Sequence, residues 1–512
     1  MRSSGILMPV SSLDSRHGIG CFSREAYAFV DFLKESGQTF WQILPVGPTG
    51  FGDSPYQSVS AFAGNPYYVD PEGLKDDGLL SSQEIEEFSF GDDPETVDYG
   101  KLYNYRYLLL KKAYDSFVEK GFLSSEDYAE FKTREADWLD DYTLFMALKR
   151  KNDGKSWTEW GAPLRHREES AVLNARNELS ELMEFFCFIQ YEFYRQYHKL
   201  HAYAKKKGIR IIGDMPFYVA MDSVDAWAHA EIFRMDQDHQ PLFTAGTAPD
   251  AFSPKGQIWG NPVYDWKAMK KNGYVWWLRR LEHAASIFDV IRIDHFHGFS
   301  SYYAIPFKDK DAQHGIFEKG PGMDFFKAVQ KRFGQIDLIA EDLGEVTEEN
   351  RQLLLETGIP GMKILQYAFT SWDSIYMPHK LEKNCVIYTG THDNPTTRAW
   401  LETLSEGELS FARRYIRSWN TDFNAMTWDL IREAMHSVAD LCIIPLQDYL
   451  CKGNEARINT PGTSQGNWTW RIPPKFLSHE LAEAIHEITA TYGRIPYIRE
   501  TEDEQSTDTV SL

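Results

Sequence analysis

The stretch DVIRIDHFHGF (289–299) puts an arginine two places before a carboxylate at the end of an apolar run. Burying Arg292 with Asp294 is costly unless the two groups pair or take part in chemistry. Three readings are open: a metal site that includes His295 and His297, a structural ion pair, or part of a catalytic set. Other apolar runs end in the same way. Asp214 closes 209–215, Glu341 and Asp342 close 337–343, His392 and Asp393 close 385–393, and Gln447 and Asp448 close 441–448. Carboxylates and a histidine gathered on one face suit the cleavage of a glycosidic bond. Its transition state is oxocarbenium-like and positive, so one carboxylate can attack or stabilise it while a protonated carboxyl expels the leaving oxygen. Crowding the acids raises the pKa of the one that must stay protonated.

The metal reading has support and a gap. On a strand His295 and His297 would share a face, and an Asp-His-His set can ligate zinc or iron. The first apolar run, GILMPVSS, supplies no early HxH, and Arg292 would sit beside the cation. Neither a metal nor a cofactor is expected.

Elements must bring these ends together. Eight apolar runs recur, at 5–10, 39–46, 209–215, 289–296, 337–343, 362–369, 385–393 and 441–448. Several follow amphipathic stretches of helical period, such as 24–37 and 192–208. Apolar strands alternating with helices imply parallel sheet, and eight of them predict a closed (β/α)8 barrel, a TIM barrel. An open doubly wound sheet is the alternative, but no GxGxxG follows the first run. In a barrel the C-terminal strand ends converge on the face where such enzymes work. The spacing between runs calls for large, mainly helical insertions: a helical subdomain at about 66–190 and a lid or loop subdomain at about 217–287. The core of the second, 245–266, reads as ordered but irregular chain. The barrel is expected over 1–500 as a single catalytic unit, with no C-terminal all-β domain and an acidic, flexible tail at 501–512.

Bulk composition narrows the partners. The chain has 512 residues and a net charge of −21, which disfavours nucleic acid. No apolar run approaches the roughly 20 residues of a membrane helix, so no membrane partner is expected. The five cysteines lack a CxxC pattern, and the N-terminal stretch lacks the features of a signal peptide. A cytoplasmic protein acting on a neutral substrate is expected.

The ordered motifs resemble a family. RIDHF, EDLG and THDN are similar to signature regions of the α-amylase clan of glycoside hydrolases, and GDMPFYV resembles the first of those regions. SRHGIGCF, WQILPVGPTGFGDSPYQSVSAFAGNPY, GQIWGNPVYDW and RINTPGTSQGNWTWR bring the resemblance closer to the amylomaltases, or 4-α-glucanotransferases. It implies transfer of α-1,4-glucan segments between maltooligosaccharides, with glucose as a further acceptor. It implies Asp294 as nucleophile, Glu341 as general acid and base, and Asp393 as the carboxylate that grips the reacting sugar, with Arg292 orienting Asp294. Asp214 and His392 are implied as donor-sugar binders, Tyr56 as an aromatic sugar platform, and Asp250, Phe252 and Trp259 as lid residues over the sugars. Asn467 and Trp468 are expected to be structural. Two rival readings are a hydrolase of short α-glucans on the same barrel and a non-catalytic glucan-binding protein.

Overall fold

Parallel pairing of sequence neighbours sets the architecture. The strands are β1 (Ser3–Leu7), β2 (Phe40–Gln42), β3 (Arg210–Met215), β4 (Val290–Ile293), β5 (Leu338–Ala340), β6 (Gly361–Ile364), β7 (Cys385–Tyr388) and β8 (Leu441–Pro445). Each pairs with its neighbours in order, and β8 pairs with β1 to close the barrel. All eight apolar runs supply a strand, and the expected barrel is the one observed. The computed structural model describes residues 2–50, 52–91, 93–249, 253–344 and 347–495.

Strand period explains what fills the barrel. Residues two apart point to the same side. Phe40, Ile212, Val290, Ile339, Val386 and Ile443 belong to one apolar interior cluster. Burying each such side chain contributes about 1.5–3 kcal/mol. Two positions further along β3, β4 and β5, the same phase carries Asp214, Arg292 and Glu341, with Asp294 one more step on. A polar layer therefore caps an apolar one. The opposite phase, including Ile211, Ile291, Ile293 and Ala340, packs in the outer core.

Helices Arg24–Glu35, Ser180–Lys206, Val275–Ile287, Met323–Phe333, Glu348–Thr357 and Phe423–His436 precede strands β2 to β6 and β8. The alternation fails before β7, where 365–384 holds only 3₁₀ turns. There Phe369 packs against Phe411 and Tyr415 of the later helix Glu406–Tyr415.

Between β2 and β3 the chain forms the helix-rich insertion, including Tyr99–Glu119 and Ala136–Lys151. The helix Ser180–Lys206 runs through the boundary expected near 190, burying residues along both its insertion end and its barrel end. The second insertion is more regular than its sequence suggested. Strands Phe243–Thr247 and Gln257–Pro262 form an antiparallel pair, joined by Ser301–Pro306 and Ile316–Lys319 in a four-stranded sheet. Two of these strands come after β4, so the sheet draws on chain beyond the expected limit near 287. Its two strand pairs are each local, but they meet through a pairing of distant segments, which local composition does not reveal. After β8 the described residues add helices, among them His479–Thr491, and no second all-β unit. The acidic tail falls outside the described residues, as do Asp250 and Phe252. Among the described residues no helix is long and apolar enough to cross a membrane.

Candidate active site

Sheet register places the central ion pair. Asp214 on β3 lies directly opposite Arg292 on β4, and both face the barrel axis. One terminal nitrogen of Arg292 donates to both Asp214 oxygens, at 2.7 and 2.6 Å. The same nitrogen donates to Asp294 Oδ1 at 3.1 Å, and the other stands 4.0 Å from Glu341 Oε2. Arg292 thus serves three carboxylates, and its closest partner is 78 positions away rather than two. Its side chain is 3% exposed and that of Asp214 is 0% exposed. Asp294 and Glu341 keep 27% and 20%, so these two open toward solvent at the strand ends.

The surroundings separate the two open acids. Burial and then the Asp294 carboxylate push Glu341 up to about 8, against the pull of Arg292. Burial raises Asp294 too, but Arg292 opposes it through a direct hydrogen bond. A proton shared by the pair therefore belongs on Glu341 and the negative charge on Asp294. The His295 amide donates to Glu341 Oε2, which fixes the carboxyl group beside the turn after β4. That turn begins with His295 in the left-handed region, at φ 47°.

A second half of the site is built from loops. The Tyr56 hydroxyl donates to Asp214 Oδ2 at 2.8 Å. Its ring stacks on His392, with centroids 5.1 Å apart and planes at 12°, and Trp468 lies 5.8 Å away. Asp393 sits next to His392 and keeps 45% of its side chain exposed. Asn459 donates to its Oδ1 at 2.6 Å, and His392 Nε2 is 3.4 Å from the same atom. Across the mouth, Trp259 meets His295 edge-to-face at 5.0 Å. Gln57, beside Tyr56, donates to the Trp259 carbonyl at 3.3 Å.

The expected residues are thus brought together. Asp214, 0% exposed, accepts from Arg292 and Tyr56, and His392, 3% exposed, lies against Tyr56 and Trp468. Asp342 and Asp448 close their runs as Glu341 does, yet serve the fold. Asp342 accepts from the Met362 amide at 2.6 Å and from Lys363 at 3.1 Å. Gly361 makes room for it, since a Cβ there would stand 2.5 Å from the carboxylate. Asp448 accepts from Thr389 and Thr397. The premise of the metal reading also changes. The strand stops at Ile293, and His295 packs against Phe217, Tyr218 and Trp259 while His297 lies nearer Asp342 and Lys363. Among the described residues no group of three or more His, Cys, Asp or Glu could hold a metal ion. Asn467 and Trp468 shape their loop, Asn467 accepting from the Thr460 amide at 2.9 Å. The sequence reading missed Arg457 and Asn459; the only signal was their place in the RINT segment, 64 and 66 residues from Asp393.

The profile of a family described as 4-alpha-glucanotransferase matches residues 8–477. The chain belongs to that family. The matched range contains every site residue named above, from Tyr56 to Trp468. The 4-alpha-glucanotransferase of Clostridium butyricum is 46% identical over 95% of this chain and 100% of its own, and that of Thermus thermophilus is 45% identical over 96% and 99%. Among solved structures, the amylomaltase from Streptococcus agalactiae in complex with acarbose is 40% identical. It superposes with a TM-score of 0.93 over 96% of this chain and 100% of its own.

Proposed function

We propose that this enzyme moves an α-1,4-glucan segment from a donor maltooligosaccharide to the 4-hydroxyl of an acceptor glucan or glucose, by retaining double displacement. One observation carries the reading: Asp294 and Glu341 open side by side above a single buried guanidinium, that of Arg292. Asp294 attacks the anomeric carbon as Glu341 gives its proton to the departing glycosidic oxygen. The freed glucan end leaves, and the donor segment stays as an ester on Asp294. Glu341, now ionised, takes the proton of an acceptor 4-hydroxyl. The hydroxyl oxygen attacks the same carbon and releases Asp294. Asp393 grips hydroxyls of the reacting ring. The raised proton affinity of Glu341 supports its part as the acid.

In this reading Asp214 orients Arg292 and Tyr56 from behind, and His392 supports the Tyr56 platform. Trp259, with Asp250 and Phe252 of the same insertion, covers the sugars. Excluding water until an acceptor arrives favours transfer over hydrolysis. The strands Phe243–Thr247 and Gln257–Pro262 and the helical insertion are proposed to frame that cleft. The unpaired state of all five cysteines supports a reducing, cytoplasmic setting. The names of the relatives and the acarbose complex of the similar amylomaltase support the substrate class.

Maltotriose as sole substrate tests the reading. Transfer should give glucose and a ladder of longer oligomers. Products no longer than the donor would favour the hydrolase reading, and binding without any product would favour a glucan-binding protein.

A further inference from the structure

The segment after β8 grips the third carboxylate's turn from two sides. Arg457 donates to the Asp393 carbonyl at 2.7 Å and to the Asn459 carbonyl at 2.7 Å. The Asn459 amide N–H donates to the His392 carbonyl at 3.0 Å, and its side chain donates to Asp393 Oδ1 at 2.6 Å. These bonds form a closed bracket between 457–459 and 392–393. The bracket is itself fixed. The Trp468 amide donates to the Ile458 carbonyl at 2.7 Å, and the Trp468 ring packs 6.0 Å from His392.

We propose that Asn459 is a positioning residue for Asp393: it holds Oδ1 and leaves Oδ2 to meet the hydroxyls of the reacting sugar. The inference rests on the reading of Asp393 as the group that grips that sugar. Asp393 is on a turn and nearly half exposed, so its own backbone does not fix its carboxylate. A carboxylate contributes to a transition state in proportion to how well it is oriented beforehand. Among the described residues Oδ2 takes no hydrogen bond, while Oδ1 accepts from Asn459 and stands 3.4 Å from His392 Nε2. An amide is suited to this task. It donates without supplying a positive charge, and it does not titrate. Arg457 spends its guanidinium on backbone carbonyls and sets the bracket rather than the carboxylate.

Asn459→Ala and Asn459→Asp test this, with Asp393→Asn as reference and maltotriose as substrate. Asn459→Ala should lower kcat by about 10- to 100-fold, the worth of a hydrogen bond to a charged group, with a much smaller change in KM and an unchanged circular-dichroism spectrum. Asn459→Asp nearly preserves shape and adds a pH signature. In its protonated form the new carboxyl donates to Asp393 as the amide did, and in its ionised form it repels Asp393. The ratio of its activity to wild type should fall as pH rises. The other ionisable groups around Asp393 are His392, Arg457, Asp294, Glu341, Tyr56 and Tyr367, and the ratio to wild type cancels their titration. An inactive Asp393→Asn with Asn459→Ala at wild-type kcat, or a pH-independent ratio for Asn459→Asp, overturns the proposal alone. An active Asp393→Asn overturns the reading of Asp393 beneath it.

Discussion

Around Arg292 and around His17 the chain buries the same ingredients: an arginine, carboxylates and shifted proton affinities. At His17 the imidazole is 4% exposed, 4.0 Å from Asp70 Oδ1 and 3.6 Å from Glu72 Oε1. Arg106, wholly buried, donates to the carbonyls of His17, Tyr67 and Val69. Burial, then Arg106, drives His17 down to about 2, and burial lifts Asp70 to about 6. The shift at His17 is at least as large as that at Glu341, and the one at Asp70 is smaller but in the same direction as Glu341's. The difference lies in what the acids can still reach. Asp70 accepts from the amides of Glu72 and Gly73 and so caps the helix Pro71–Asp76. Asp294 and Glu341 retain open surface at the barrel mouth. A perturbed proton affinity marks burial; chemistry further requires a face left for substrate.

The largest expected contrast comes from removing one acid in each place. Asp294→Asn should cut transfer by at least about 10³-fold while the thermal midpoint stays near wild type. Asp70→Ala should do the reverse, costing about 1 kcal/mol of stability through the lost cap while kcat holds. Product analysis and calorimetry on both variants read the contrast; substantial transfer by Asp294→Asn would take it out of the nucleophile's place.

A smaller effect separates the two clusters by pH. Glu341 must be protonated to act as the acid, so kcat/KM should decline as pH rises through about 8. Above that, activity should fall about tenfold per pH unit. A flat profile between pH 7 and 9 would contradict the assignment of Glu341.

A third effect concerns stability alone. His17 is held neutral in the fold, with its affinity lowered from 6.5 to about 2. Its contribution is complete above 6.5 and is lost as pH falls from there toward 2, because the unfolded chain takes up the proton first. His17→Asn should flatten the acid-side decline of stability by up to about 1.4 kcal/mol per pH unit. Thermal melts from pH 7 to 4 measure it, and the alkaline limb of the rate profile should not move.

Particular residues show how far the sequence could be read. The eight runs were legible because parallel strands buried on both faces are continuously apolar. Asp294 and Glu341 were legible as strand-end carboxylates in a recognisable order. Phase carries a further signal: Ile339 and Glu341 share one face, and Asp342 the other. It becomes usable only with the interior face known, which requires the sheet. The antiparallel sheet was not legible as a whole, since it joins two local strand pairs to each other across more than 50 residues of chain. Asn459 was not legible because an asparagine in a loop gives no sign of what it faces.

By itself, the sequence determined the strand count, the order of the strands and the carboxylates at their ends, because apolar continuity and residue type are local properties. Tertiary structure alone decided where each of those carboxylates stands and what it meets. Register set Asp214 against Arg292, strand phase turned Glu341 inward and Asp342 outward, and a loop 66 residues away reached Asp393. These outcomes depend on distances between chain segments, and it is distance and solvent exposure that fix the proton affinity and reach of a carboxylate.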